Sequence, residues 1–527
     1  MIRTIIGKTG AAAAALCFAG ALTAPAASPA FAQTTMEQVP DRPAGEGEGP
    51  YETLLIQGAT MIDGTGAPPE GPVDILVRGN RIGQIIRGGG STIAADRVVD
   101  ARGMYILPGF VDTHGHNGNP DKAPQPSYGY KLWLAHGVTS VRGVPFYFLP
   151  DARGVSDAAR SDANTITAPR LFAYAVFGTG DFTPTEAGAR QWVRTAKARG
   201  FVGVKFFNMA PSELVRAALD EAEKIGMGTV AHLGQRGVAG MTAGDAASAG
   251  LQSITHFYGH FESLLRDGAI PQYPADYNYL DEQSRFSWAA HITDQAVEPG
   301  SDTWNAYIDL LLEQDVTLAP TFNIYSASRD VMKARNADWH AQYTLPSLMR
   351  FFEPSLVNHG SYYHDWTSED EIAWRRFYQR WFALTRGFHD RGGRVTAGSD
   401  PGYIYQTWGF SYISELEMLR EAGLSPLEVI RAATQSGAAE LYEASGDPAP
   451  FGVIRPGMLA DLVIVPENPL ANLKVLYGTG HRRLNRETDV IETVGGVRWT
   501  VKDGIIYDSP ALLADVARMV EQQRTAE

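Results

Sequence analysis

The sequence predicts an α/β fold, a (β/α)8 TIM barrel joined to a small β-sandwich domain that the two ends of the chain build together. Two patterns carry this expectation. Between Gly109 and Ser399 short apolar runs alternate with helical stretches, as parallel strands and their crossover helices do. On either side lie short strand-like pieces broken by Gly and Pro. The expected layout is a β domain from residues 51–108 and 446–510, a barrel over 109–445, and a C-terminal helix or tail over 511–527.

Each element has its own signal. The first β pieces are Thr53–Gln57, Val73–Val77, Arg81–Ile86 and Arg97–Asp100; their counterparts near the other end are Ala460–Val465, Val497–Val501 and Gly504–Tyr507. The first barrel strand ends at His114, and seven more candidates follow: Gly137–Val141, Leu171–Ala175, Val202–Phe206, Gly228–His232, Gln252–His256, Val316–Pro320 and Arg394–Ser399. Between them, Pro211–Ile225 places Leu214, Val215, Ala218, Leu219 and Ala222 on one helical stripe closed by Gly226. Ser425, Pro426 and Glu428 spell a capping box with proline at the first helical position. The span exceeds a minimal barrel of about 250 residues, and the surplus falls in two insertions, Phe257–Gly300 and Ile324–Gly392.

The first residues of the chain suggest export. Residues 1–32 read as a secretory signal: basic Arg3 and Lys8, an apolar Ala11–Leu22, and Ala30-Phe31-Ala32 as the cleavage site. A periplasmic or secreted protein follows, with 33–50, rich in Gly, Pro and Glu, as a mobile linker. The single cysteine, Cys17, lies inside the signal, which excludes disulfides and thiolate ligands from the mature chain. Without the signal 43 basic face 59 acidic side chains, a formal charge of −16 that argues against nucleic acid or anionic membrane as partner.

Barrel enzymes place their working residues at the C-terminal ends of the strands. Here those ends carry His114 and His116, Lys205, His232, His256 and Asp400. In an extended strand alternate residues share a face, so GFVDTHGHNG aims two imidazoles at one point. By the same alternation Lys205, in GFVGVKFFN, enters the barrel, where a bare ammonium is costly. Two readings serve it: an ion pair with Asp400, or addition of CO₂ to give a carbamate that binds metal.

At these motifs the sequence resembles the amidohydrolase superfamily, metal-dependent barrel hydrolases of the type with two metals and a carboxylated lysine. The likeness rests on PGFVDTHGH, VKFF, VAHLG, SITHF and AGSD at successive strand ends, and on PGMLADLVIV in the returning β segment, and it covers roughly Glu52 to Ser509. It implies that His114, His116 and Asp400 bind the more buried of two divalent ions and His232 and His256 the more exposed, bridged by N6-carboxylated Lys205. Imidazole and carboxylate ligands suit zinc, with manganese, cobalt or iron as alternatives. It further implies a hydroxide between the metals as nucleophile, with Asp400 as the catalytic proton shuttle.

Tyr258, His260 and Tyr403 are candidate substrate contacts because they follow ligands at the rim; each also reads as a packed rim residue. His136 falls at the opposite end of the barrel, where a structural role is expected, and His340, in the second insertion, is expected in solvent. Within the superfamily the chain looks most like Xaa-Pro dipeptidases, N-acyl amino acid hydrolases and ochratoxin-type amidases. Those commonly carry Gly-Gly-His after the third strand, where this chain reads FGTGDF. The expected activity is hydrolysis of an amide bond in a small molecule such as an N-acyl amino acid, dipeptide or related apolar amide. A lactone, ester or cyclic amide hydrolase with the same site and a non-catalytic binding barrel are the alternatives. Aromatics at helical spacing, Trp374, Phe377, Tyr378 and Trp381, read either as a lid or as core or homo-oligomer contact.

Overall fold

The computed structural model describes residues 36–144, 153–207, 210–266, 271–278, 280–355 and 359–526. The signal expected over residues 1–32 lies outside them. Eight parallel strands form one curled sheet in sequence order: β1 (Phe110–His116), β2 (Val138–Val144), β3 (Arg170–Val176), β4 (Gly203–Phe207), β5 (Gly228–His232), β6 (Ser253–Thr255), β7 (Thr317–Ala319) and β8 (Arg394–Val395). Backbone bonds from Thr113 N to the Ala397 carbonyl (2.9 Å) and from Asp400 N to the His114 carbonyl (2.8 Å) join the first strand to the segment after the last. The chain is thus the expected barrel.

Alternation positions the lysine. In β4, Val204 and Phe206 are buried against the helical layer, where Phe206 meets Phe177 at 5.1 Å between ring centroids, and Lys205 points inward with 2% of its surface exposed. Beneath it Arg142 of β2 pairs with Glu440, which also accepts from Thr396 Oγ1 (2.9 Å). Glu440 lies on a short helix, Gly437–Glu443, packed against β1 and β5.

Three strands are shorter than their apolar runs. Gln252–His256, Val316–Pro320 and Arg394–Ser399 pair only over Ser253–Thr255, Thr317–Ala319 and Arg394–Val395. The residues just past them, His256 (φ 67°), Thr321 (φ 52°) and Asp400 (φ 43°), adopt left-handed backbone that ends the pleat. The chain peels off the sheet where ligand-bearing residues turn toward the barrel axis.

The small domain is a mixed sheet whose neighbouring strands run 505–508, 499–502, 462–465, 105–108, 53–61, 70–78 and 81–87, with 97–100 beside 53–61. Both chain ends contribute, as the separated β pieces imply. Leu54, Ile56, Val73, Ile75, Ile106, Leu462 and Ile464 bury its core. Residues 36–50, expected to be a mobile linker, instead run along the barrel: Arg160 donates to the Val39 carbonyl (2.8 Å), Lys131 pairs with Glu46 (2.8 Å), and Glu48 bonds to Ile506 (2.9 Å). Their backbone polar groups thus find partners despite the turn-rich composition. A hairpin pairing 481–485 with 490–494, not anticipated from the sequence, projects beside this domain.

The second insertion is mostly core. In the helix Ser368–Asp390 the side chains of Trp374, Phe377, Tyr378 and Trp381 are almost wholly buried, so this stripe packs inside the protein and forms no exposed lid. His340 is likewise buried, contrary to the solvated position expected from its place in the second insertion; its ring nitrogens bond to Thr344 Oγ1 (2.8 Å) and the Ala334 carbonyl (2.9 Å). His136 is buried at the far end of the barrel against Phe410 and the Leu132 carbonyl (2.8 Å). Among the described residues no helix is long and apolar enough to cross a membrane.

Barrel and small domain are tied by a buried charge cluster. Arg170, at the start of β3, reaches Asp461 and Asp503 of the small domain at 2.6 Å each. Burial pushes the Asp503 carboxyl up, but Arg170 and Lys502 outweigh it and hold its pKa below the ordinary value. Its stabilising contribution is therefore present above the unfolded carboxylate pKa and lost as pH falls through the lowered folded value. Arg170→Met leaves buried Asp461 without its guanidinium partner and Asp503 with Lys502 alone, and is expected to cost about 3–5 kcal/mol. Urea unfolding at neutral and acidic pH checks this: the loss should shrink as the pH falls.

Candidate metal centre

Three imidazoles converge on one carboxylate. The Asp400 side chain lies 2.8 Å from His116 Nε2, 3.5 Å from His114 Nε2 and 3.6 Å from His256 Nε2. Ligand atoms of His114, His256 and Asp400 all fall within 4.8 Å of one another. His232 adds a fourth ring, 4.6 Å from that of His256 and backed by Phe207 and Tyr258, each at 4.7 Å. Lys205 Nζ stands on the other side of His114, 3.5 Å from Nδ1 and 3.3 Å from Thr255 Oγ1. The structure thus gathers all six residues that the sequence singled out as ligands.

Local chain geometry brings them together. The register pairs Val230 with Lys205 and His232 with Phe207, so His232 stands one layer nearer the rim than Lys205. Gly115 lets β1 lie close between its histidines, because a Cβ there would meet Val141 at 2.5 Å and Trp133 at 2.8 Å. Gly398 does the same for the last strand, where a Cβ would fall 2.7 Å from His114 Cβ. Asp112, buried behind the histidines, accepts from Trp133 Nε1 (3.0 Å), His114 N (3.1 Å), and both the backbone (2.9 Å) and hydroxyl of Ser399. It ties β1 to the segment carrying Asp400, and burial lifts its carboxyl to about 6 against those bonds.

The chemistry of this donor set suits a cation. Burial, with the neighbouring Lys205, drives the His114 pKa well below its ordinary value; burial, with His232, does the same to His256. Both rings are therefore neutral and offer lone pairs. The Thr321 hydroxyl donates to the Pro320 carbonyl (2.5 Å), leaving its oxygen to accept from His256 Nδ1–H (2.5 Å). His256 Nε2 is then the lone-pair nitrogen, and it is buried without a hydrogen-bond partner. An orphaned acceptor beside a carboxylate and neutral imidazoles is what a divalent cation satisfies. Burial likewise pulls the Lys205 ammonium well below its ordinary pKa despite the opposing pull of Asp400. Among the described residues no ion pair joins these two, so the ammonium form lacks a close carboxylate and burial favours the neutral amine.

The remaining candidates are more enclosed. Tyr258 is buried with its hydroxyl 2.6 Å from that of Tyr325, and His260 is buried with Nδ1 2.6 Å from the Tyr307 hydroxyl. Tyr403 stands with its ring 5.9 Å from the His116 ring. In the FGTGDF stretch that replaces Gly-Gly-His, Phe177 packs on Phe182 (5.3 Å) and Trp192 donates to the Thr179 carbonyl (2.8 Å).

Thr321, Asp112 and Lys122 were not singled out from the sequence. Asp112 lies in the first motif, yet only the fold shows which atoms it gathers. Thr321 carries a weaker signal, a polar residue directly after an apolar strand. As a β-branched residue at positive φ it is strained, which marks a position held by its surroundings. Thr321→Val removes the acceptor that orients His256 and is expected to weaken metal affinity about 10- to 100-fold, measured by chelator competition on folded protein.

No family model matches the chain. A stretch of 88 residues is 41% identical to an N-acyl-D-glutamate deacylase of Alcaligenes xylosoxydans xylosoxydans, covering 17% of this chain and 17% of that protein. A longer stretch of 185 residues is 29% identical to a dihydroorotase of Geobacter sulfurreducens, covering 34% of this chain and 42% of that protein. The chain thus spans less than half the length of either curated relative. A solved Xaa-Pro dipeptidase with methionine bound in its active site has the same fold over 86% of this chain and 100% of its own, with a TM-score of 0.57 and 20% identity. Local sequence matches and the whole-chain fold both agree with the amidohydrolase superfamily, whose strand-end motifs this chain resembles.

Proposed function

We propose that the protein is a metal-dependent hydrolase that cleaves an amide bond in a small molecule, an N-acyl amino acid, dipeptide or related apolar amide. The observation that carries this is the convergence of three imidazole Nε2 atoms on the Asp400 carboxylate beside a buried lysine amine. The deacylase match supports an amide substrate. Residues 1–32 support a site of action outside the cytoplasm, periplasmic or secreted.

His114, His116 and Asp400 would hold the more buried divalent ion and His232 and His256 the more exposed one. Zinc suits these ligands, and when bound supplies a Lewis acid and a lowered pKa for water. Lys205 would join both ions as a carbamate: its Nζ lone pair adds to the carbon of CO₂, and the nitrogen loses a proton to solvent. A neutral amine is required for that addition, which agrees with the burial of Lys205. Asp400 would accept the proton of the attacking water on a carboxylate oxygen and return it to the leaving nitrogen. The close approach of His116 Nε2 to Oδ1 orients that carboxylate. Closely packed aromatics, Tyr258 and Tyr325 among them, exclude water from one side of the cluster.

A screen of N-acyl amino acids, dipeptides, esters and lactones on metal-loaded protein, read as initial rates, tests the reading. Amides should turn over fastest; hydrolysis of lactones or esters alone would move the assignment to those bonds. Protein purified without chelator should carry close to two divalent ions per chain by elemental analysis. Asp400→Asn should keep much of the metal while turnover falls about 10²- to 10⁴-fold. Near-normal turnover in a metal-loaded variant would remove the proton-shuttle role. Lys205→Ala should lose metal and activity together, and short carboxylic acids should restore part of both; an unmodified amine in the metal-loaded protein would overturn the carbamate.

A further inference from the structure

Lys122 stands on the same rim as the ligand cluster, in the loop that follows β1. Its side chain is 6% exposed, and Nζ lies 3.4 Å from the centroid of the Phe351 ring and 3.9 Å from that of Tyr403. It also donates to the Gly402 carbonyl (3.3 Å). Three rim segments therefore hold this ammonium: the loop after β1, the insertion after β7 that carries Phe351, and the loop after Asp400 that carries Gly402 and Tyr403. Tyr403 in turn stands 5.9 Å, ring to ring, from His116. One aromatic side chain separates the cation from the metal ligands.

We propose that Lys122 reads a carboxylate on the substrate, so that the preferred substrate is an anionic amide, an N-acyl amino acid or dipeptide whose acid group lies beside the scissile bond. This rests on the amide-hydrolase reading above and adds to it the residue that selects among amides. In such molecules only a few bonds separate the carboxylate from the scissile carbon, so the group that binds it must stand within a side chain's length of the metal ligands, as Lys122 does. Two ring faces hold Nζ in a fixed place and desolvate it; burial pulls its pKa down to about 7 against the pull of Asp400, and a carboxylate placed beside it favours the charged form and is held by it. The rings of Phe351 and Tyr403 also give apolar surface to the substrate's side chain. The formal charge of the whole chain, −14, repels anions at long range, so selection for an acid must come from a cation at the site itself.

The test compares an N-acyl amino acid with its own carboxamide on metal-loaded wild type, Lys122→Met and Lys122→Arg. Wild type should prefer the free acid, and Lys122→Met should lose that preference about 10- to 100-fold, through KM more than kcat. Lys122→Arg should keep part of it, and metal content should stay near wild type in both. If Lys122→Met instead slows acid and carboxamide equally and keeps the acid preference, Lys122 only braces the Tyr403 loop and the proposal is overturned. Should Lys122→Met fail to fold, Lys122→Gln, which retains a donor for the Gly402 carbonyl, gives the same comparison. Calorimetric binding of hippurate and its carboxamide separates this proposal from the hydrolase reading. An acid preference in binding that Lys122→Met erases supports the carboxylate site even if no amide is cleaved. Equal binding of both compounds to wild type overturns it even if amides are hydrolysed.

Discussion

Closure of the sheet between β1 and the segment after β8 sets where every ligand stands. Backbone bonds from Thr113 to Ala397 and from Asp400 to His114 bring the start and the end of the barrel together, and Asp112 fastens the same seam by gathering Ser399, Trp133 and the His114 amide. Gly398, where a Cβ would meet His114, permits the close approach. Because Asp400 and the two histidines of β1 come from strands far apart in the chain, their meeting follows from this seam. A change that loosened it would separate the carboxylate from His114 and His116.

The seam also explains why strain collects at the rim. His256, Thr321 and Asp400 each turn out of their strands through left-handed backbone, conformations of order 1–3 kcal/mol above the common ones. Each residue is then held by a specific bond: Asp400 N to the His114 carbonyl, His256 Nδ1 to Thr321, and Thr321 to Pro320. The buried core of barrel and insertion, with aromatic side chains such as Trp374 and Trp381, fixes the scaffold in which these bonds form. What that rigidity yields is a neutral His256 whose tautomer is fixed, beside a neutral His114, the state a metal ligand needs.

The insertions do two different jobs. The helix Ser368–Asp390 packs its aromatic stripe inward and widens the core, while the segment before it delivers Phe351 to the rim beside Tyr403 and Lys122. A sequence rich in aromatics does not distinguish these roles, because both bury rings. Only the direction each ring faces separates a stabilising contact from one that borders the reaction site.

Strand periodicity and the chemistry of individual residues were legible in the sequence. Alternation along β1 and β4 sends His114, His116 and Lys205 inward whatever else the chain does, and ligand types recurring at strand ends mark the working face of a barrel. The pairing of both chain ends into one sheet was legible for the same reason, since the strand pieces at either end lack enough partners of their own. What depends on contacts between distant segments was not. The burial of His340, the course of residues 36–50 along the barrel, the tautomer of His256 set by Thr321, and the ring faces around Lys122 all involve partners that no local pattern names. Local sequence determines which way a side chain leaves its own strand or helix; the atoms it meets there come from elsewhere in the chain, and tertiary packing alone decides them.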